Sequence, residues 1–177
     1  MPINRIDLKP IVNLKGHACF GCGTNNPSGL HMTFHTDGQR LYSFVSVPPI
    51  MAGWDRTVHG GILSTILDEI MGWSVIYLLE KIGVTKSMTV EFKKPVQVEQ
   101  PLTAVGTIGE VVSDRQVTVI GEVYNAENVL CARADGTFAT MSALAAVRLG
   151  VMRSDYMERF LPILQQREEA DAVRSKE

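Results

Sequence analysis

The longest regular pattern in the chain lies between residues 57 and 81. Ile62, Leu63, Ile66, Leu67, Ile70 and Met71 recur at intervals of three and four, the period of an α-helix. His59-Gly60-Gly61 opens the run, and no further Gly or Pro interrupts it before Gly72. Lys81 near its end and Gly83 just beyond predict a helix stop there. Ser64, Thr65, Asp68, Glu69 and Gly72 form one polar or small stripe, while Ser74 is the only polar residue from 73 to 79. A helix apolar on nearly every side is a buried helix. Its polar interruptions, and the lack of a longer apolar run, predict no membrane span.

Around this helix the period changes to two. Residues 30–35 and 41–47 read as strands, with the turn residues Asp37-Gly38 between them and Pro48-Pro49 ending the second. Residues 51–58 read as a loop carrying Trp54, Asp55 and Arg56. After the helix, residues 87–93 alternate, with Met88, Val90 and Phe92 on one face. Residues 102–112, 117–124 and 129–141 follow as longer strands joined by polar turns at 113–115 and 125–128. One buried helix followed by a strand meander is an α+β pattern, the helix covering the apolar face of the sheet.

The flanks are less regular. Residues 1–15 read as an extended N-terminal arm, and residues 142–147 as a stretch of small residues. Residues 155–166 predict an amphipathic helix with Tyr156, Phe160, Leu161 and Leu164 on one side, kinked or limited by Pro162. The expected organisation is an arm (1–15), one α+β domain (16–147), and a C-terminal helical extension with a charged tail (148–177).

Composition narrows the function classes. The 17 basic and 19 acidic residues leave a formal net charge of −2, which argues against bulk nucleic-acid binding. The start, MPINRIDLKPIVNLKGH, shows no apolar signal core. With three cysteines it predicts reduced thiols and a cytoplasmic location. Cys19 and Cys22 sit as C-x-x-C in a Gly-, Asn- and Pro-rich loop spanning 17–29. One reading is a zinc site completed by His17 or His31; the other is two small side chains packed in a compact turn. The missing second cysteine pair favours the turn, so no metal is expected.

Two chemical groups sit on the helix itself. Free backbone N–H groups at its glycine-rich start favour an anion or a developing oxyanion. Asp68 is a carboxylate on a mostly buried element and needs a partner or a function. Gly60 and Asp68 are eight residues apart, or about 12 Å along the axis. Both can serve one small reacting group only if a second copy of the helix supplies one of them, which predicts a homodimer.

His59-Gly60-Gly61 followed by Asp68 resembles the helix signature of hot-dog-fold thioesterases of the PaaI and 4-hydroxybenzoyl-CoA thioesterase type. Cys19-Phe20-Gly21-Cys22-Gly23, with Asn26-Pro27 and Gly29-Leu30, resembles the opening of a PaaI-like subgroup. TKSMTVEFKKP at 85–95 resembles the strand after the helix in that family. Together these motifs cover residues 19 to 141.

The resemblance implies a hot-dog fold, an antiparallel sheet of five to six strands wrapped around one long central helix. It implies an acyl-CoA or acyl-carrier thioesterase, a homodimer or dimer of dimers with no cofactor. Asp68 would be general base or nucleophile, with the adjacent Glu69 as fallback acid. The Gly60 N–H would be the oxyanion donor, with His59 beside the thioester or orienting the loop, and Thr85 orienting the acid or the attacking water. Gly61, Trp54, Trp73 and Met71 would contact substrate. Lys86, Lys93, Lys94 and Arg115 are candidates for the phosphates of coenzyme A. The chain departs from the family where relatives carry Asn or Gln before the HGG, here Ala52-Gly53-Trp54-Asp55, and where some carry Ser after the acid, here Gly72. That departure keeps a non-catalytic acyl-ligand-binding module as the alternative. A hot-dog dehydratase is a third reading, whose usual His and Asp pattern is not found here.

Overall fold

A computed structural model describes residues 8–167. Its strands are β1 (Lys9–Ile11), β2 (Phe34–Thr36), β3 (Arg40–Ser46), β4 (Ala52–Trp54), β5 (Thr57–Val58), β6 (Ile82–Phe92), β7 (Pro101–Ser113), β8 (Gln116–Tyr124) and β9 (Leu130–Met141). The helices are α1 (Gly60–Leu79), α2 (Ala143–Arg148) and α3 (Ser154–Leu164). Seven strands form one antiparallel sheet in the order β1-β2-β3-β7-β8-β9-β6. The strand beyond the five or six expected is β1, contributed by the arm: Lys9, Pro10 and Ile11 pair with Thr36, His35 and Phe34.

The alternation on β8 shows why the sheet holds the helix. Val117, Val119 and Val123 are buried, and their neighbours are half-exposed. The helix buries Leu63, Ile66, Leu67, Ile70, Met71 and Val75 in the core that these strands line. Beneath it, Gly106 of β7 pairs with Gly121 of β8. A Cβ at Gly106 would lie 2.7 Å from the Ile70 carbonyl oxygen, and one at Gly121 would lie 3.1 Å from Leu67 Cδ2. The two glycines thin the sheet locally, so the helix backbone seats directly on it. Among the described residues α1 alone would qualify as a membrane span by length and composition, contrary to the sequence reading; its burial against the sheet accounts for that apolarity.

Several boundaries differ from expectation. The helix stops at Leu79, capped by Glu80 in the left-handed region at φ 54°. Gly83 does not end the helix but lies inside β6, where a Cβ would come within 2.9 Å of Val75 Cγ1; it is a close-approach glycine, not a helix stop. The strand expected from residue 30 starts only at Phe34, because His31 turns the chain at φ 49°. Residues 51–58, read as a loop, contain the β4–β5 hairpin. The small-residue stretch after Met141 forms α2, whose N-cap Ser142 accepts from the Ala145 N–H.

The C-terminal helix packs back on the domain. Trp73 of α1 stacks on Phe34 at 4.6 Å between ring centroids and meets Phe160 of α3 edge-on at 6.4 Å. Gln166 accepts from the Val12 N–H and donates to the Val12 carbonyl, and Arg159 donates to the carbonyl of Lys15. Residues near the two ends of the described chain therefore clasp each other. The expected charged tail, from 168 onward, lies outside the described residues.

Candidate active site

The start of α1 is fixed from both sides. The Val58 N–H donates to Val96, the His59 N–H to Met51, and the Val98 N–H to Arg56, so the hairpin before the helix is tied to the segment before β7. His59 is the N-cap, and its ring Nδ1 accepts from the Gly61 N–H at 2.9 Å. An acceptor at Nδ1 places the ring proton on Nε2, which is assigned from this hydrogen bond. The cap uses the Gly61 amide, whereas the Gly60 N–H has no partner among the described residues. Gly60 thus retains one of the orphan donors of a helix start. The ring of Phe92, 55% exposed, covers this glycine: a Cβ on Gly60 would lie 3.3 Å from Phe92 Cζ.

Asp68 is half-buried two turns further along. The Thr85 hydroxyl donates to Asp68 Oδ1 at 2.6 Å, within the short range of bonds to a charged acceptor. This contact depends on a bulge. In the β6–β9 ladder Thr85 opposes Phe138 and Ser87 opposes Thr137, leaving Lys86 as the extra residue. A bulge reverses the in-out parity of a strand. Before it, Gly83 and Thr85 face α1; after it, Met88 and Val90 pack on the core. An unbroken strand would turn either Thr85 or Met88 and Val90 away from the helix. Reading the 87–93 alternation alone did not show this, and no residue type in the segment signals it.

Glu69 is turned about 100° from Asp68 by the helical repeat and faces a different cluster. Its carboxylate lies 3.7 Å from Cys19 Sγ through each oxygen and accepts from Trp73 Nε1 at 3.2 Å. Burial pushes the Glu69 carboxyl up to about 7. Between the two thiols, their mutual hydrogen bond holds Cys19 low and drives Cys22 up. Asp68 and Glu69 therefore do not converge on one reacting atom. The grouping of Glu69 with the C-x-x-C loop was invisible at a separation of fifty residues.

The other expected contacts divide. Trp73 and Met71 are 3% and 0% exposed. They belong to the core, Trp73 between Phe34 and Phe160 and Met71 beneath Gly136, and they line no accessible surface near Asp68. Trp54 is 86% exposed at the tip of the hairpin. Lys93 and Lys94 line a small cavity of about 190 Å³ with Gly60 and Phe92. Lys86 donates to Gln116. A wider concavity, about 990 Å³, lies elsewhere, between the end of α1 and helices α2 and α3; it takes in Arg115 but neither Asp68 nor Thr85. Of its two acids, Asp114 is already paired with Lys81 and Glu80 caps α1, so the chemistry lies with Asp68 and Thr85 instead.

Asp68 and Thr85 instead lie on open surface. Gly61, Thr65 and Asp68 share the face of α1 that the chain's own sheet covers least. Beside that face runs β6, an eleven-residue edge strand with no neighbour on its outer side among the described residues.

Comparison with known proteins bears on this arrangement. Residues 56–132 match the family model described as the thioesterase superfamily, a span that contains His59, Gly60, Asp68 and Thr85. No curated protein matches the sequence. Among solved structures, one of a thioesterase superfamily protein is 24% identical over 64% of this chain, with a TM-score of 0.59; the match spans 56% of that protein's length. A hypothetical thioesterase from Streptococcus pneumoniae TIGR4, solved with coenzyme A, is 22% identical over 59% of this chain and 80% of its own, with a TM-score of 0.56. It has also been solved with one aspartate, and separately one threonine, replaced by alanine. The E. coli PaaI protein from the phenylacetic acid degradation operon is 17% identical over 64% of this chain and 81% of its own, with a TM-score of 0.58. At these identities the structural likeness carries the fold, the hot-dog fold.

Proposed function

We propose that this chain, a hot-dog-fold protein with the thioesterase-superfamily pattern over residues 56–132, hydrolyses the thioester of an acyl-coenzyme A or acyl-carrier substrate at Asp68. The observation that carries the reading is the Thr85–Asp68 hydrogen bond at 2.6 Å on an open face of the central helix. A half-buried carboxylate held in one orientation by a neighbouring hydroxyl is suited to take a proton from water, or to attack a carbonyl itself. Its second oxygen carries no hydrogen bond among the described residues and is free for that role. The coenzyme A bound to the pneumococcal neighbour supports a coenzyme A thioester as the substrate, and an aspartate and a threonine are the residue types replaced in that protein.

The carbonyl oxygen needs a donor, and the Gly60 N–H is the free one. It lies about 12 Å from Asp68 along the same helix. The site is therefore shared: a two-fold partner lays its α1 antiparallel beside this one, and each helix start meets the other's Asp68. The uncovered helix face and the unpaired edge of β6 are the surfaces that such a partner would cover. In that arrangement Lys93 and Lys94, beside Gly60, stand near the mouth of the site, where a phosphate-bearing carrier would enter.

One observation favours a second reading, a module that binds an acyl ligand without cleaving it. The hairpin before α1 offers no side-chain amide, only Ala52, Gly53, Trp54 and Asp55. Thiol release from a panel of acyl-CoAs and acyl-carrier proteins separates the two. Release that exceeds the spontaneous rate and disappears in Asp68→Asn supports hydrolysis. Saturable binding with no release establishes the module.

A further inference from the structure

The fold supplies what the spacing of the cysteines lacks. Cys19 and Cys22 are joined by Glu69 of α1, and the three ligand atoms lie within 4.8 Å of one another. We propose that Cys19, Cys22 and Glu69 bind a zinc ion, with the His17 ring turning in to take the fourth position. The site lies about 100° round α1 from Asp68 and is independent of the thioesterase reading.

The distances suit the ion. With Zn–S near 2.3 Å and Zn–O near 2.1 Å, a tetrahedral site separates sulfur and oxygen by about 3.6 Å. Cys19 Sγ stands 3.7 Å from each carboxylate oxygen of Glu69. The Cys22 thiol lies within the same group, so both sulfurs and the carboxylate surround one point.

The surroundings are shaped to bring these groups together. A Cβ on Gly21 would fall 2.3 Å from Glu69 Oε2, so only glycine admits the carboxylate to the loop. Trp73 Nε1 orients that carboxylate by donating to Oε1, the kind of outer support that ligating carboxylates require.

His17 is the independent sign of a ligand. It is 8% exposed, and its Nε2 is buried without a hydrogen-bond partner. A buried ring nitrogen of this kind ordinarily finds a partner. It stands two residues before Cys19, with its ring outside the group of atoms that lie within 4.8 Å of one another, so the ring turns to reach the ion. Two thiolates, one carboxylate and one neutral imidazole form a sulfur-rich set that selects zinc over magnesium or calcium. Both thiol protons leave as the ion binds, and no electron is transferred. The ion would pin the 17–29 loop to α1 one residue from Asp68.

The test uses the full-length reduced protein, loaded with zinc and passed through gel filtration. About one zinc per chain is expected, with almost none retained by a Cys19→Ser, Cys22→Ser double variant. Cobalt loading should give thiolate-to-cobalt absorption and the strong visible bands of a tetrahedral site, a readout on the wild-type chain that does not depend on any variant folding. Glu69→Gln and His17→Ala should each weaken zinc binding by about tenfold or more. Zinc retention no greater than that of the double variant would overturn the proposal, as would cobalt spectra without thiolate bands. Unchanged affinity in Glu69→Gln or in His17→Ala would overturn the four-ligand set.

Discussion

At the scale of single residues, the functional argument rests on one carboxylate and one hydroxyl. Asp68→Asn keeps the size and the bond to Thr85 but removes the basic oxygen. It should lower the turnover number by about 10²- to 10⁴-fold, the usual contribution of a general acid or base, with substrate binding and thermal stability close to wild type. Near-normal turnover would remove Asp68 from the chemistry. Thr85 is a positioning residue. Its bond to a charged acceptor is worth roughly 1.5–3 kcal/mol, so Thr85→Ala should cost tenfold or more in kcat with little change in KM, and Thr85→Ser should restore most of it. A Ser variant as slow as the Ala variant would show that the methyl group, not the hydroxyl, matters. As candidates, Asp68 and Gly60 stand out in the sequence because an acid and a free amide on an apolar helix have few structural uses. Trp73 and Met71 were not separable from pocket residues, since apolar side chains on a helix look alike until the covering element is known. Glu69 read only as a fallback acid, because the cysteines facing it are distant in the chain.

At the scale of elements, the strongest periodicities were the most legible. The central helix and strands β7, β8 and β9 stand close to where their patterns place them. Short or irregular pieces were not: His31 cuts a strand by one positive φ, and α2 is six residues long. The least visible feature was the most consequential, because the bulge at Lys86 lets one strand present Thr85 to the site and Met88 and Val90 to the core. The seat of α1 on the sheet makes a separate demand. A methyl at Gly106 would stand 2.7 Å from the Ile70 carbonyl oxygen and 2.2 Å from Ser74 Oγ. The helix backbone cannot yield as a side chain would, so Gly106→Ala should destabilise the fold by roughly 1–3 kcal/mol, the range for overpacking. Urea unfolding measures it, and an unchanged midpoint would mean that the helix shifts freely on the sheet.

For the whole molecule, the decisive question is whether one chain holds a complete site. Gly60→Pro removes the proposed oxyanion donor at a position where proline is tolerated, the first helical residue. His59 already has ψ 136°, the extended setting that a following proline requires, and the atoms nearest a Cβ there belong to the end of the Phe92 side chain. Gly60→Pro and Asp68→Asn should each be nearly inactive alone. Co-refolded, they form mixed dimers in which one site carries both changes and the other carries neither, so part of the activity should return. Folded mixed dimers without activity would mean that each site is built within a single chain.

The clasp between Val12 and Gln166 bears on the order in which the molecule assembles. The two residues are 154 positions apart, and closing a loop of that length has an entropic cost that nothing local offsets. Such contacts form once the intervening chain is in place, after the rate-limiting step has been crossed. Stabilisation added so late acts on the escape rate from the native state and leaves the rate of reaching it unchanged. Gln166→Ala should therefore lower stability by about 1 kcal/mol almost wholly through unfolding that is about fivefold faster, with the refolding arm of a stopped-flow chevron unmoved. A fall in the refolding rate instead would place the joining of the two ends early, at the nucleus of the fold.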